Sequence, residues 1–469
     1  MSSSMLSSFS ETLNASEAAL RLLISILLGL PIALFHRYTL YGKSPILQHL
    51  FFSISGILIC YWNYEHNTFH SAATLCITYL ILKLFGGTSL SVFATFVFNM
   101  SYLLYGYYTT STDDYDIKWT MPQCVLTLRL IGLAFNIFDG KKSEEKLSAL
   151  QKQVALKEQP TFLEVAAFTY FPGSFLVGPQ FSMKRYLDFV NGRLIDDSVK
   201  KDEIKLPDCV TPGITRILIG FIYVIMFQLG TLYIPDQYLL STEFLKHNFL
   251  KRLLMIGFWG HVNLYKYVFC WLFSEGVCTT FGLTYNGRDK KNRPVWNGCE
   301  NIQLLTFETA TRFNYLILSF NINTNHWCAE YIYKRLKFLG SKLYSQFATL
   351  LFLAVWHGFH SGYYVCFFME FIIMYAERDL TQILERNEKV QDLVKSHPEI
   401  RIAFAIFTFI YTFMFMGYSL VPFILLSYTR YHQVYSSIYY SGHIIYLSYP
   451  FVSILLKKFL IKRKPKKLE

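Results

Sequence analysis

The chain has 469 residues, of which 53% are hydrophobic, 18% aromatic and only 16% charged, with a formal net charge of +12. Soluble chains of this length carry charge on about a quarter of their residues and divide into several domains, so the composition excludes an ordinary soluble multidomain protein. The expected fold class is an all-α polytopic membrane protein: one body over residues 1–469, with a polar N-terminal segment at 1–18 and a basic tail at 456–469.

In chain order, the first apolar run is LRLLISILLGLPIALF at 20–35. No Lys or Arg precedes it and no clean small-residue cleavage site follows, so it reads as an anchoring helix rather than a removed leader. Further runs lie near 46–62, 71–85, 88–106, 121–138, 161–182 and 210–234. Others lie near 251–283, 302–320, 343–376, 399–427 and 438–461. One crossing needs about 20 apolar residues, so these runs predict about ten to twelve embedded helices, some of them re-entrant. The runs 251–283 and 343–376 are long enough to hold a bent or paired element. Pro122, Pro172, Pro179, Pro422 and Pro450 sit in or beside apolar runs, where they kink or end helices. Between the runs, the longest polar stretches are 139–160, 184–209 and 378–400. The first and third alternate charge with Leu and Val at helical spacing and predict amphipathic surface helices.

The basic residues cluster between apolar runs, as in KKSEEK (141–146), KKDEIK (200–205), GRDKKNR (287–293) and KRLK (334–337). Cytosolic retention of Lys and Arg explains this, and an electrostatic funnel for an anionic substrate or headgroup is compatible with it. A nucleic-acid partner is not expected, because the charges border hydrophobic spans instead of forming one basic face. The nine cysteines are scattered without a CxxC and read as reduced core residues, so neither a disulfide frame nor a metal site is expected. No phosphate loop, GxSxG elbow or HExxH occurs.

At the C-terminus, Lys466 and Lys467 stand fourth and third from the end. This matches the dilysine signal by which cytosolic coat proteins retrieve endoplasmic reticulum membrane proteins; the plain alternative is a solvated basic tail near anionic lipid. With a cytosolic C-terminus, an odd number of crossings places the N-terminus, and the Asn14-Ala15-Ser16 sequon, in the lumen.

Two places stand out against this apolar background. LFLAVWHGFHSGYYVCFF (351–368) holds His357 and His360, and SFNINTNHWCAEYIYKRLKFLG (319–340) crowds Asn321, Asn323, Asn325 and His326 together ahead of Trp327. Ionisable groups in such runs are costly and need a partner, a water-filled cavity or a function. A desolvated imidazole is disfavoured in its charged form and suits general-base work, and an Asn amide can steady a polarised carbonyl oxygen. With no nucleophile motif in the chain, that pair fits direct attack by a substrate hydroxyl on an activated acyl group. Plain alternatives stand beside each residue. They are packing for His360 and Tyr363, close packing of Trp356 and Gly358 on a small cavity, and helix capping for Asn323 and Asn325.

At WHG (356–358) and FNINTN (320–325) the sequence resembles the membrane-bound O-acyltransferase family, whose signature is a His in an apolar helix and an Asn some tens of residues upstream. YDIKWTMPQCVLTLRLIGLAFNIFDG (115–140), FLVGPQFSM (175–183) and LYKYVFCWLFSEG (264–276) extend the likeness to the phospholipid-remodelling branch over almost the whole chain. The resemblance implies a helical body of about eleven crossings around a substrate tunnel. Acyl-CoA then enters from the cytosol and the acceptor from the membrane or lumenal side. His357 becomes the general base and Asn321 its polar partner, with Trp356, His360, Asn323, Trp327 and Tyr363 as the candidate substrate-binding set. The implied reaction moves a polyunsaturated acyl group from acyl-CoA, as co-substrate and without a resident cofactor, to the sn-2 hydroxyl of lysophosphatidylcholine. Lysophosphatidylserine and lysophosphatidylethanolamine are the further acceptors. The rivals are another acceptor (a sterol, a diacylglycerol or a protein) and a transporter or channel. Expected partners are acyl-CoA, lysophospholipid, membrane lipid and coat proteins, and a homo-oligomer is left open.

Overall fold

The computed structural model describes residues 7–8, 10, 16–112, 117–194 and 208–460. The Asn14 of the sequon, the 200–205 cluster and Lys466-Lys467 lie outside them. Among the described residues there is no β-strand, only the isolated bridges Arg288 to Pro294 and Ile302 to Phe320. The chain is a helical membrane body.

Five long helices open it: α1 Glu17–Phe35, α2 Pro45–Tyr64, α3 Thr68–Phe85, α4 Ser89–Thr110 and α5 Thr120–Gly140. Two short buried helices follow, α6 Phe162–Thr169 and α7 Met183–Val190, before the long α8 Val210–Tyr233 and α9 Phe249–Phe281. The short α10 Phe313–Ser319 and α11 Ile322–Cys328 lead to α12 Lys342–His357 and α13 Ser361–Glu385. The chain ends with α14 Pro398–Leu425, α15 Tyr428–Ser437 and α16 Ser441–Leu460. Local chemistry sets many of these ends. Ser16 accepts a hydrogen bond from the Ala19 N–H at the start of α1, and Thr161 and Glu164 form a capping box on α6.

Among the described residues, seven helical stretches are long and apolar enough to cross a membrane, one of them, Pro45–Phe85, spanning both α2 and α3. A count of eleven crossings is therefore not established. The difference has physical causes. The 161–182 run holds only α6 and a set of turns around Pro172 and Pro179, which are buried inside protein rather than facing lipid. The 302–320 run is likewise broken into short pieces. His261, Asn263 and Lys266 lower the hydropathy of α9, which nonetheless is one continuous 33-residue helix, about 50 Å long at 1.5 Å per residue. The 343–376 run is the paired element: it divides into α12 and α13 at residues 358–360.

The polar stretch 139–160 departs from its expected amphipathic helix. Beyond the end of α5 only Ala149–Val154 is α-helical, and the Leu156 N–H instead bonds the Asn136 carbonyl at 2.9 Å, so pairing with α5 overrides the local periodicity. The 378–400 stretch is helical in three pieces: α13 runs to Glu385, Asn387 caps Glu388–Ser396, and α14 begins at Pro398.

Helix α9 is the axis, packing against α1, α8 and α14. Lipid supplies no hydrophobic drive between helices, so small residues must let backbones meet. A Cβ on Gly260 would lie 2.5 Å from the Gly417 Cα, and one on Gly276 would lie 2.6 Å from the Gly213 carbonyl oxygen. On its other side α8 exposes Leu218, Ile222, Ile225 and Leu229 as an apolar stripe suited to lipid. All nine cysteines are free thiols.

Candidate active site

His357 ends α12 because Gly358 adopts φ +124°, a conformation that side-chain-bearing residues avoid. Two contacts hold this end in place. The Trp356 indole donates to the Cys124 carbonyl of α5 at 3.0 Å, and the Tyr107 hydroxyl of α4 donates to the Trp356 carbonyl at 3.1 Å. The imidazole is ringed by Trp356, Phe423, Tyr363 and Phe367, with ring centres 4.7, 5.1, 5.3 and 5.4 Å away. Among the described residues neither ring nitrogen has a hydrogen-bond partner. Both remain available to a ligand.

Asn321 precedes α11 in the left-handed conformation, with φ +51°. Asn is among the few residue types that tolerate this without heavy strain. Its Oδ1 accepts from the Asn301 Nδ2 at 3.4 Å. The neighbouring asparagines hold backbone: Asn323 donates to the Cys299 and Glu300 carbonyls at 3.1 and 3.0 Å, and Asn325 to the Ile317 and Phe320 carbonyls at 2.8 and 2.9 Å.

His357 and Asn321 line one cavity of about 1230 Å³. That exceeds the usual range for a small-ligand pocket and suits a long-chain substrate. Phe307, Phe313, Leu316, Leu420 and Phe423 supply apolar wall. Trp356, His360 and Tyr363 line it as well, with the His360 Nε2 3.3 Å from the Ser111 hydroxyl and the Tyr363 ring against His357 and Phe423. Asn323 and Trp327 do not line it. Asn323 is the backbone clamp just described, and Trp327 is buried in an apolar cluster against Tyr331 and Phe352. In this structure both support the cavity wall from behind rather than facing the cavity.

The cavity also holds polar residues that the sequence reading did not single out. Lys266, Glu370, Gln180 and Asn301 all line it. Lys266 and Glu370 carried the same signal as the histidines, an ionisable group within an apolar run. Gln180 and Asn301 carried none, because an amide in a loop is unremarkable until its neighbours are known. Gln180 donates to the Val125 carbonyl at 2.7 Å. It belongs to a buried segment that Arg129 of α5 gathers by donating to the Phe168 carbonyl and the Ser174 hydroxyl, each at 2.9 Å.

An imidazole with free nitrogens and a carboxamide, lining one large and mostly apolar cavity, can move a proton and stabilise an oxyanion. The sequence model of MBOAT, the membrane-bound O-acyltransferase family, matches residues 104–421, which include both residues. Lysophospholipid acyltransferase 5 of Homo sapiens is 45% identical over 461 residues, covering 98% of this chain and 93% of its own length. Its namesake in Drosophila melanogaster is 42% identical over 428 residues, covering 90% and 84%. Lysophospholipid acyltransferase 1 of Arabidopsis thaliana is 28% identical over 473 residues, covering 98% of each. The family match takes in more than half of the chain, and the first of these relatives aligns with nearly all of it; the chain belongs to the membrane-bound O-acyltransferase family.

Proposed function

We propose that the protein transfers a fatty acyl group, preferably polyunsaturated, from acyl-CoA to the sn-2 hydroxyl of a lysophospholipid, with lysophosphatidylcholine the leading acceptor. The lysophospholipid class is supported by the names of the relatives. The observation that carries the mechanism is that His357 and Asn321, from separate segments, line the same large cavity.

A ring nitrogen of His357 takes the proton from the glycerol hydroxyl, and that oxygen attacks the thioester carbonyl carbon. The carbonyl oxygen becomes an oxyanion and accepts a hydrogen bond from the Asn321 amide. The carbon–sulfur bond then breaks, and the coenzyme A thiolate takes the proton back from the imidazolium. Atoms and charge balance without a covalent acyl-enzyme, and acyl-CoA is a co-substrate rather than a resident cofactor. Tyr363, Phe367 and Phe423 confine the imidazole and exclude water that would hydrolyse the thioester.

The protein is further proposed to sit in the endoplasmic reticulum membrane with its C-terminus cytosolic and coat proteins reading its tail. The Asn387 amide donates to the Leu460 carbonyl at 2.9 Å, so the C-terminal ends of α13 and α16 adjoin. Lys389, Lys395, Lys457 and Lys458 lie along the segments that meet there, and such charge favours the cytosolic side.

Purified protein offered a matrix of acyl-CoAs and acceptors tests the activity. Coenzyme A release with lysophosphatidylcholine, and little with diacylglycerol or cholesterol, is the expected result. Equal rates with those acceptors would reject the acceptor assignment, and solute flux without coenzyme A release would replace it with a transporter.

A further inference from the structure

We infer that Asn301 is a positioning residue that sets which way the Asn321 carboxamide faces, and that the Glu275–Arg216 pair, with Glu275 buried, holds Asn301 in place. This rests on the role proposed above for Asn321.

A carboxamide has an accepting and a donating end, and only its N–H₂ end can stabilise an oxyanion. Asn301 Nδ2 donates to Asn321 Oδ1 at 3.4 Å, a long contact of the kind catalytic sites show before substrate binds. With Oδ1 engaged there, the Nδ2 end is the one left for the cavity that both residues line. Asn301 reinforces the arrangement from three sides. Its carbonyl accepts from the Ile322 N–H at 3.1 Å, and its Oδ1 accepts from the Asn323 N–H at 2.9 Å and from the Asn323 side chain at 3.2 Å. These bonds clamp both residues that follow Asn321 and so maintain its left-handed backbone.

Asn301 is itself anchored to the axis of the fold. Its N–H donates to Glu275 Oε1 of α9 at 2.8 Å, and Glu275 Oε2 accepts from Arg216 Nε of α8 at 2.7 Å. Arg216 also donates to the Ile302 carbonyl at 2.8 Å, one residue beyond Asn301. The carboxylate is only 4% exposed, so it cannot relax into solvent, and the chain Arg216–Glu275–Asn301–Asn321 is a fixed strut from two long helices to the cavity wall.

The test is Asn301→Asp in the full-length, detergent-purified protein. Aspartate keeps the acceptor for the Asn323 N–H and keeps both backbone bonds, but it cannot donate to Asn321 Oδ1. It draws the Asn321 N–H₂ end toward itself and turns the oxygen to the cavity. Expected is a loss of turnover of about 10²-fold, in line with removal of one oxyanion donor, with the acyl-CoA KM nearly unchanged; the melting temperature falls, because position 301 is buried beside the Glu275 carboxylate. In an Asn321→Ala background the same substitution should cost nothing more. If Asn301→Asp does not purify folded, Asn301→Ser serves, its hydroxyl accepting locally but being too short to reach Asn321. Wild-type turnover in a folded position-301 variant, beside an inactive Asn321→Ala, overturns the inference alone. An additional loss in the double variant overturns it too, because Asn301 would then act independently. Wild-type turnover in Asn321→Ala removes the role of Asn321 and the inference with it.

Discussion

The His357 and Tyr363 rings lie 5.3 Å apart, centre to centre, on two helices that meet only because Gly358 reverses the chain between them. The turn lets α12 deliver an imidazole into a wall built by α13. Gly358→Ala imposes a side chain at φ +124°, and its Cβ would lie 3.4 Å from the Tyr107 ring. The expected cost is about 1–3 kcal/mol of stability, with turnover falling further than stability because the base is displaced. Thermal melting and rate measurements on one preparation separate the two effects.

For His357→Ala, turnover should fall by about 10²–10⁴-fold, the span of general-base contributions, while acyl-CoA still binds. Asn321→Ala should also fall steeply, and the double variant should be little worse than either single one because the two groups serve one step. Among the described residues the His360 side chain hydrogen-bonds Ser111, so His360→Ala should lose much less. A dead His360→Ala beside an active His357→Ala would reassign the base.

Glu275→Ala removes the buried partner of Arg216 but leaves it Glu300 at 3.4 Å and the Ile302 carbonyl, so the cost falls below the about 3–5 kcal/mol of a fully unpaired buried charge. It also releases the Asn301 N–H. Lower yield of folded protein and a lower melting temperature are expected, and a stability equal to wild type would show that the pair is dispensable.

Arg129 is buried and distributes its guanidinium over the Phe168, Thr169, Ser174 and Pro179 carbonyls and the Ser174 hydroxyl. Lysine carries the charge but not the planar fork. Arg129→Lys should therefore leave buried carbonyls unpaired at about 1–3 kcal/mol each and loosen the Leu176–Gln180 wall of the cavity. Melting temperature and acyl-CoA KM report the two consequences.

Replacing Lys466 and Lys467 by Ser should let the protein escape the endoplasmic reticulum, as seen by microscopy. An unchanged distribution would leave the tail as a basic surface only.

The membrane class and the longest helices were legible in the sequence. Apolar runs such as those of α1, α8 and α14 must satisfy their backbone groups locally in lipid, so composition alone dictates helix there. The two histidines and the asparagine cluster were legible for the converse reason, since polar groups in such runs are costly. The fate of the 161–182 and 302–320 runs was not, because apolar residues buried by protein look the same as those facing lipid. Nor was the division of labour between Asn321 and Asn323. They are identical in type and two positions apart, yet one faces the cavity and the other ties down the Cys299 and Glu300 carbonyls. That choice is made by the left-handed turn at Asn321 and by its pairing with the 299–303 segment, hung from Glu275 across the fold. Hydrogen bonds between segments distant in sequence, not local propensity, decide which amide faces the cavity.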